Sequence, residues 1–281
     1  KHPDLYERMI IFMKLSFTTA GCPGWTFDEI FAVAKDLGIQ GIEIRGMGDV
    51  IFAPDIPIFA SEEIESTKKR MSDAKMEFPV LDSTAALGVA DIAQAAMIEA
   101  KAYIDLAAKL GTSYIRVMVS PKAEPTHADL ELCEKQYREL CDYGAAKNVS
   151  PLMETNGVFG DSKLLAKFMQ KVNHAGSGVL WDIHHPYRFF GETPEQTVQN
   201  IGKYIRHTHI KDSVMTDGAI VYKMMGYGDV PITDAVAALK KIGYEGYISL
   251  EWLKRYNPYL QEPGIVFAHF ASFMSYIFEE A

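Results

Sequence analysis

The chain has 281 residues, of which 48% are hydrophobic and 23% charged, a composition ordinary for a soluble globular protein with apolar material for one large core. Its net charge of −9 argues against a phosphate-backbone partner, since nucleic-acid binders carry basic surfaces, so no nucleic acid is expected. No stretch approaches the roughly 18 consecutive apolar residues of a membrane span. The three cysteines, Cys22, Cys133 and Cys141, form no CxxC or CxxH pattern, which fits a reducing cytoplasm without disulfides.

Residues 1–12 (KHPDLYERMIIF) hold an apolar patch too short for a secretory segment and read as an extension, with one domain filling 13–281. From there strand-like and helix-like patterns alternate eight times. The strand-like runs are 14–19, 41–45, 78–83, 113–119, 151–156, 178–183, 207–211 and 247–252. After the first, Thr26 is a plausible N-cap for a helix carrying Phe27, Ile30, Phe31, Ala34 and Leu37 at helical spacing and stopping at Gly38. The second helix opens near Ser61, the third covers 91–110 and the fourth about 128–147. The fifth follows Asp161, the sixth starts at Thr193-Pro194, where proline suits the first turn, the seventh runs from Pro231 to Gly243, and the eighth fills 265 to the end. In that last helix Phe267, Phe270, Met274 and Phe278 form a core stripe.

Strict alternation implies βαβ units and a parallel sheet. Eight units without a linker imply a single (β/α)8 barrel, which routinely spans about 200–250 residues or more. A doubly wound open sheet is the runner-up, weakened because no GxGxxG follows the first strand.

Barrel active sites form at the C-terminal ends of the strands. Four successive strands end in Met153-Glu154-Thr155-Asn156, Trp181-Asp182-Ile183-His184-His185, His207-Thr208-His209-Ile210-Lys211-Asp212 and Leu250-Glu251-Trp252. Singly, these acids and histidines would be a loop ion pair, a helix cap or a core histidine. Jointly, Glu154, Asp182 and Glu251 bring three buried carboxylates to one mouth, and desolvating them costs several kcal/mol each unless a cation pairs with them. One divalent metal held by Glu154, Asp182, His209 and Glu251 meets that need. The mixed carboxylate and imidazole set favours manganese, with Mg2+, Co2+ or Zn2+ as alternatives.

Other polar side chains enter the same mouth. Glu43 and Arg45 share a face at the end of strand two, Arg116 lies in strand four, and Lys211 shares the face of His209. Each either hydrogen-bonds substrate hydroxyls or pairs with a neighbouring carboxylate. Trp252, Trp25 and Phe159 lie in loops at the same end and are candidates for apolar contact with a sugar ring, with plain packing as the alternative for Trp252.

The chain also resembles the xylose isomerase-like barrel superfamily, in its sugar phosphate isomerase/epimerase branch. The matching residues are Leu15-Ser16-Phe17-Thr18-Thr19, Gly41-Ile42-Glu43-Ile44-Arg45-Gly46, Glu154-Thr155-Asn156 and Trp181-Asp182-Ile183-His184-His185-Pro186. They continue with His209-Ile210-Lys211-Asp212, Gly226-Tyr227-Gly228-Asp229-Val230-Pro231 and Ser249-Leu250-Glu251-Trp252, and the likeness covers about 14–278. It implies metal ligation by Glu154, Asp182, His209 and Glu251, and a substrate-facing His185. Strand periodicity alone would instead put His184 on the Asp182 face.

The expected reaction is isomerisation or epimerisation of a small carbohydrate or polyol, by proton transfer alpha to a carbonyl through an enediolate, with Glu154 and Glu251 as the two catalytic carboxylates. Expulsion of a β-hydroxyl would make the same site an inosose-type dehydratase. An apurinic endonuclease would need extra histidines at strand ends three and four, where Leu81-Asp82-Ser83-Thr84 and Arg116-Val117-Met118-Val119-Ser120 have none, and an Asp-x-His where Val221-Tyr222-Lys223 stands. A non-catalytic sugar-binding protein is the remaining rival. The loop 253–258 has cations but no glycine-rich turn, so an unphosphorylated substrate is favoured. A homo-oligomer is compatible with the sequence.

Overall fold

Thr26 accepts a hydrogen bond from the Glu29 amide while the Glu29 carboxylate accepts one from the Thr26 amide, and this capping box starts the first helix where the sequence places it. The computed structural model describes residues 13–280, so the expected N-terminal extension, 1–12, lies outside the described residues. Ten strands follow in chain order: β1 (Lys14–Thr18), β2 (Gly41–Glu43), β3 (Leu81–Ala86), β4 (Tyr114–Met118), β5 (Ser150–Glu154), β6 (Gly178–Asp182), β7 (Ile205–Ile210), β8 (Asp212–Thr216), β9 (Ala219–Lys223) and β10 (Tyr247–Leu250). The helices are α1 (Phe27–Asp36), α2 (Ile64–Asp73), α3 (Ala93–Leu110), α4 (Leu130–Ala145), α5 (Ser162–Val172), α6 (His184–Phe190), α7 (Pro194–Ile201), α8 (Ile232–Lys241) and α9 (Pro263–Glu280).

Eight strands form one parallel sheet in the order β2-β1-β10-β7-β6-β5-β4-β3. Its two end strands meet through the bridges Gly41↔Glu77 and Ile44↔Leu81, so the sheet curls into a (β/α)8 barrel. Gly41 is required at this seam, because a Cβ there would lie 2.6 Å from the Ser16 Cβ and 2.7 Å from the Tyr247 ring.

Strand three begins three residues later than the sequence suggests, at Leu81, and a register shift against β4 after Asp82 carries its pairing on to Ala86↔Met118. Two elements were not expected. One is α6, which starts as soon as β6 ends. The other is the antiparallel β8–β9 hairpin, whose two-residue turn Asp217-Gly218 has φ of 51° and 79°.

The core lies between the sheet and its helices. Phe267, Phe270 and Met274 of α9 are fully buried there, with Phe267 stacked 4.0 Å from Phe17, and Phe278 packs at the margin. Cys22, Cys133 and Cys141 are free and buried. No described helix is long and apolar enough to cross a membrane.

Candidate active site

The inside of this barrel is polar where such barrels usually carry branched aliphatic layers. Ser16 and Thr18 from β1, Glu43 from β2, Asp82 from β3, Arg116 from β4, Glu154 from β5, Asp182 from β6, His207 and His209 from β7 and Ser249 from β10 are all buried. Parallel register aligns Asp182 with His209, His209 with Ser249 and Asp82 with Arg116, so these side chains share the inner face. Glu251 follows the last residue of β10, and its amide still donates to the Ile210 carbonyl (3.0 Å), which keeps it in strand geometry.

The four residues picked out as metal ligands come together at the C-terminal mouth. Ligand atoms of Glu154, Asp182 and His209 lie within 4.8 Å of one another. Glu251 Oε1 is 3.7 Å and Glu154 Oε1 3.9 Å from His209 Nδ1. That Nδ1 is buried and has no hydrogen-bond partner. The other ring nitrogen, Nε2, lies 2.6 Å from Glu43 Oε1, and Glu43 Oε2 accepts from His207 Nε2 (2.8 Å) and from the Ser249 hydroxyl. Glu43, expected to touch substrate, therefore stands fully buried behind His209, with both oxygens committed to protein donors. A carboxylate in this position fixes the ring and its tautomer, leaving Nδ1 as the ligating atom.

Five buried carboxylates (Glu43, Asp82, Glu154, Asp182 and Glu251) face two fixed cations, Arg116 and Lys211. Lys211 Nζ lies 2.5 Å from Glu251 Oε2 and also contacts Asp182. Arg116 Nη1 is 3.5 Å from Glu154 Oε2 and 3.4 Å from Glu251 Oε1, while its Nε sits 3.7 Å from Asp82. Burial, reinforced by the Glu43 charge and opposed by Arg116, pushes the Asp82 carboxyl well above the usual carboxylate range. These five carboxyl groups outnumber the two fixed cations, and a divalent ion would offset that excess. The orphaned Nδ1, the oxygen-rich donor set and this excess all fit such an ion.

The same field separates the two glutamates. Burial and the charges of Glu251 and Asp182 raise the Glu154 carboxyl despite Arg116. At Glu251, burial is outweighed by Lys211, His209 and Arg116, which hold its carboxyl well below the usual range.

Of the histidine pair, His185 enters the site. Its Nδ1 faces the Thr155 carbonyl (3.1 Å) and its Nε2 lies 3.4 Å from Asp182 Oδ2. His184 turns away, its Nε2 2.9 Å from Ser213 Oγ and its ring beside Tyr222 of the hairpin. Alternation fails here because β6 ends at Asp182 and Ile183 already has helical angles (φ −63°, ψ −30°), so helical i, i+3 spacing sets 185 over 182.

Arg45 lies at the mouth, its guanidinium 5.8 Å over the Tyr256 ring and its Nη1 without a partner. Trp252 is 1% exposed, donates its Nε1 to the Gln261 carbonyl (3.0 Å) and belongs to the core, so its ring packs behind the site rather than facing a sugar. Phe159 is likewise buried, 4.7 Å from Phe168, and Trp25 is half-buried edge-on to Phe267.

The sequence reading gave no role to Asp82, His207, Ser249 or Asp212. Asp212 accepts from the amides of Ser213, Gly226, Gly228 and Val230 at 2.8–3.2 Å and so pins the 226–230 loop to β8. A Cβ at Gly228 would lie 2.0 Å from Asp212 Oδ1, which explains the glycine.

Comparison with known proteins gives a consistent pattern. The profile of the family described as "Xylose isomerase-like TIM barrel" matches residues 31–268. A curated relative, the fructoselysine 3-epimerase of Shigella flexneri, is 24% identical over 270 residues, covering 89% of this chain and 93% of that protein. Among solved structures, the IOLI protein with a binding zinc atom superposes with a TM-score of 0.77 at 18% identity, covering 95% of this chain and 99% of that one. D-psicose 3-epimerase with D-tagatose from Clostridium cellulolyticum H10 gives 0.74 at 18% identity, over 95% and 99% of the two chains.

Proposed function

Since the chain belongs to the xylose isomerase-like TIM barrel family, we propose that it is a divalent-metal-dependent sugar epimerase or isomerase that moves a proton at the carbon beside a carbonyl. The observation that carries this reading is His209 Nδ1, a buried nitrogen without a protein partner that faces Glu154 and Glu251 while Glu43 occupies the other side of the ring. Relatives named as 3-epimerases of fructoselysine and psicose support the substrate class, and a structural neighbour with a binding zinc atom supports a bound divalent metal.

Glu154, Asp182, His209 and Glu251 would hold the ion, with manganese the first choice. When bound, it supplies a Lewis acid that favours negative charge on the carbonyl and adjacent hydroxyl oxygens. Glu251, held ionised, takes the proton from carbon as the C–H electron pair moves into the new C=C bond and the carbonyl pair onto oxygen, giving the enediolate. Glu154, whose carboxyl is raised, returns a proton to the opposite face, the carbonyl re-forms and the configuration inverts. The reverse reaction uses the two in the opposite order. Asp182, shorter and tied to Lys211 and the His184 amide, serves as ligand only.

His185 presents Nε2 and Lys211 its ammonium on the Asp182 side of the site, where both meet substrate oxygens; Arg116 offers its donor between the two glutamates. Arg45 binds the end of the substrate distal to the metal. The test is a manganese-supplemented screen of free ketoses, inososes and keto-glycosides in D2O, read by NMR. Deuterium at the inverted carbon supports epimerisation. Product carrying a new double bond and one water fewer would instead assign the site to β-elimination.

A further inference from the structure

A cavity of about 610 Å3 opens at the opposite, N-terminal end of the barrel. We propose that it is a second binding site, for a small molecule that carries a phosphate or carboxylate group on an apolar body. Cations dominate its charged lining. Lys14, Lys68, Lys75 and Arg206 stand against Glu77 and Glu245. Lys14 is paired with Glu77 at 3.1 Å, and Glu77 also accepts from the Tyr247 hydroxyl. Lys68 is paired with Glu65 outside the cavity.

Lys75 and Arg206, both exposed residues of the lining, have no carboxylate partner among the described residues. Arg206 Nη1 donates to the carbonyls of Lys203 and Ile205, which anchors the guanidinium at the cavity's edge. Lys75 has a positive φ of 56°, at the end of α2 where glycine is the unstrained choice, so a cationic side chain sits where local geometry disfavours any side chain. With Glu245 as the one unpaired acid among the described residues of the lining, Lys75 and Arg206 leave a net positive charge there, which favours an oxyanion because charge-assisted hydrogen bonds to such groups are the strong ones.

The lining is mixed, and Met71, Met76, Phe78 and Tyr247, all largely buried, contribute its apolar part, so a ligand has both a charge to pair and some apolar surface to meet. The lining includes His207, whose Nε2 is hydrogen-bonded to Glu43. This site is separate from the carboxylate mouth and does not depend on the sugar reading.

The experiment uses the full chain, labelled with 13C-methyl methionine, titrated with phenyl phosphate, benzoate and, as the uncharged control, phenol. Up to about 10 mM probe, enough to saturate a millimolar Kd, the Met71 and Met76 signals should move saturably with one or both anions and not with phenol, while Met118 at the mouth stays in place. The double variant K75A/R206A, which changes two exposed side chains, should weaken that anion binding at least about tenfold. Movement of Met118 alone, equal response to phenol, affinity unchanged in the double variant, or no saturable shift would each overturn the proposal. Comparing the phosphate and carboxylate arms identifies which oxyanion the cavity takes.

Discussion

Glu43 Oε1 lies 2.6 Å from His209 Nε2, and this one contact turns the other nitrogen of the ring, Nδ1, toward Glu154 and Glu251. The glutamate is therefore a positioning residue acting through the histidine. Glu43→Gln should weaken manganese binding by roughly 10–100-fold, the usual effect of removing an outer-shell partner, with the fold intact by circular dichroism. Titration calorimetry on the apo chain reads this directly. Wild-type affinity in the variant would mean that Nδ1 is held in place by something else.

Asp212 accepts from four amides and so carries the 226–230 loop. Asp212→Ala would leave several of those donors unpaired and should cost about 2–4 kcal/mol, whereas Asp212→Asn, which keeps one acceptor oxygen, should cost less. Gly228→Ala should also destabilise, because its Cβ would meet the Asp212 carboxylate. Urea unfolding of the three variants ranks them, and an Asp212→Ala protein as stable as the wild type would remove the carboxylate from this role.

Burial, helped by the Lys211 charge, lowers the His184 imidazole from 6.5 to about 2, so it stays neutral in the native state. The unfolded chain protonates it below about pH 6.5 while the folded chain does not, so stability is lost as pH falls below that value, by up to about 1.4 kcal/mol per pH unit for this group. His185 and His207 are pushed in the same direction, mainly by burial, whereas at His209 burial is outweighed by Glu43 and Glu251, which raise it to about 10 and so oppose part of the decline. The urea midpoint of the apo chain should therefore be lower at about pH 5 than at about pH 7.5, and His184→Gln should flatten that decline. An equally steep decline in the variant would show that His184 is already protonated when folded.

Much of this architecture was legible in the sequence because each strand end repeats one pattern, an apolar run followed by a polar inward residue. Glu154, Asp182, His209 and Glu251 were visible as a set for that reason, and the structure brings them together. What lies one layer beneath was not. Glu43 and Asp82 also follow apolar runs, and nothing local says whether such a carboxylate meets a ligand or a neighbouring side chain; for Glu43 only the contact with β7 across the barrel interior decides it. Alternation points to His184 rather than His185, because it does not see that the switch from strand to helix falls between them and Asp182. The β8–β9 hairpin was not expected, although Asp217-Gly218 is a dipeptide suited to a turn with two positive φ angles and was its available signal. Trp252 reads as a mouth residue from its position after Glu251, yet its large ring finds more to cover in the core against α9.

The central claim is that Glu154 and Glu251 transfer protons at a substrate carbon, and the most direct measurement is NMR of turnover in D2O with manganese present, using a ketose identified by the screen. The wild type should place one solvent deuterium at the inverted carbon per turnover. Glu154→Gln and Glu251→Gln should each lower kcat by more than about 10³-fold while retaining measurable manganese binding. Product formed at the wild-type rate with no deuterium at carbon would contradict the two-carboxylate account and leave only the metal site standing.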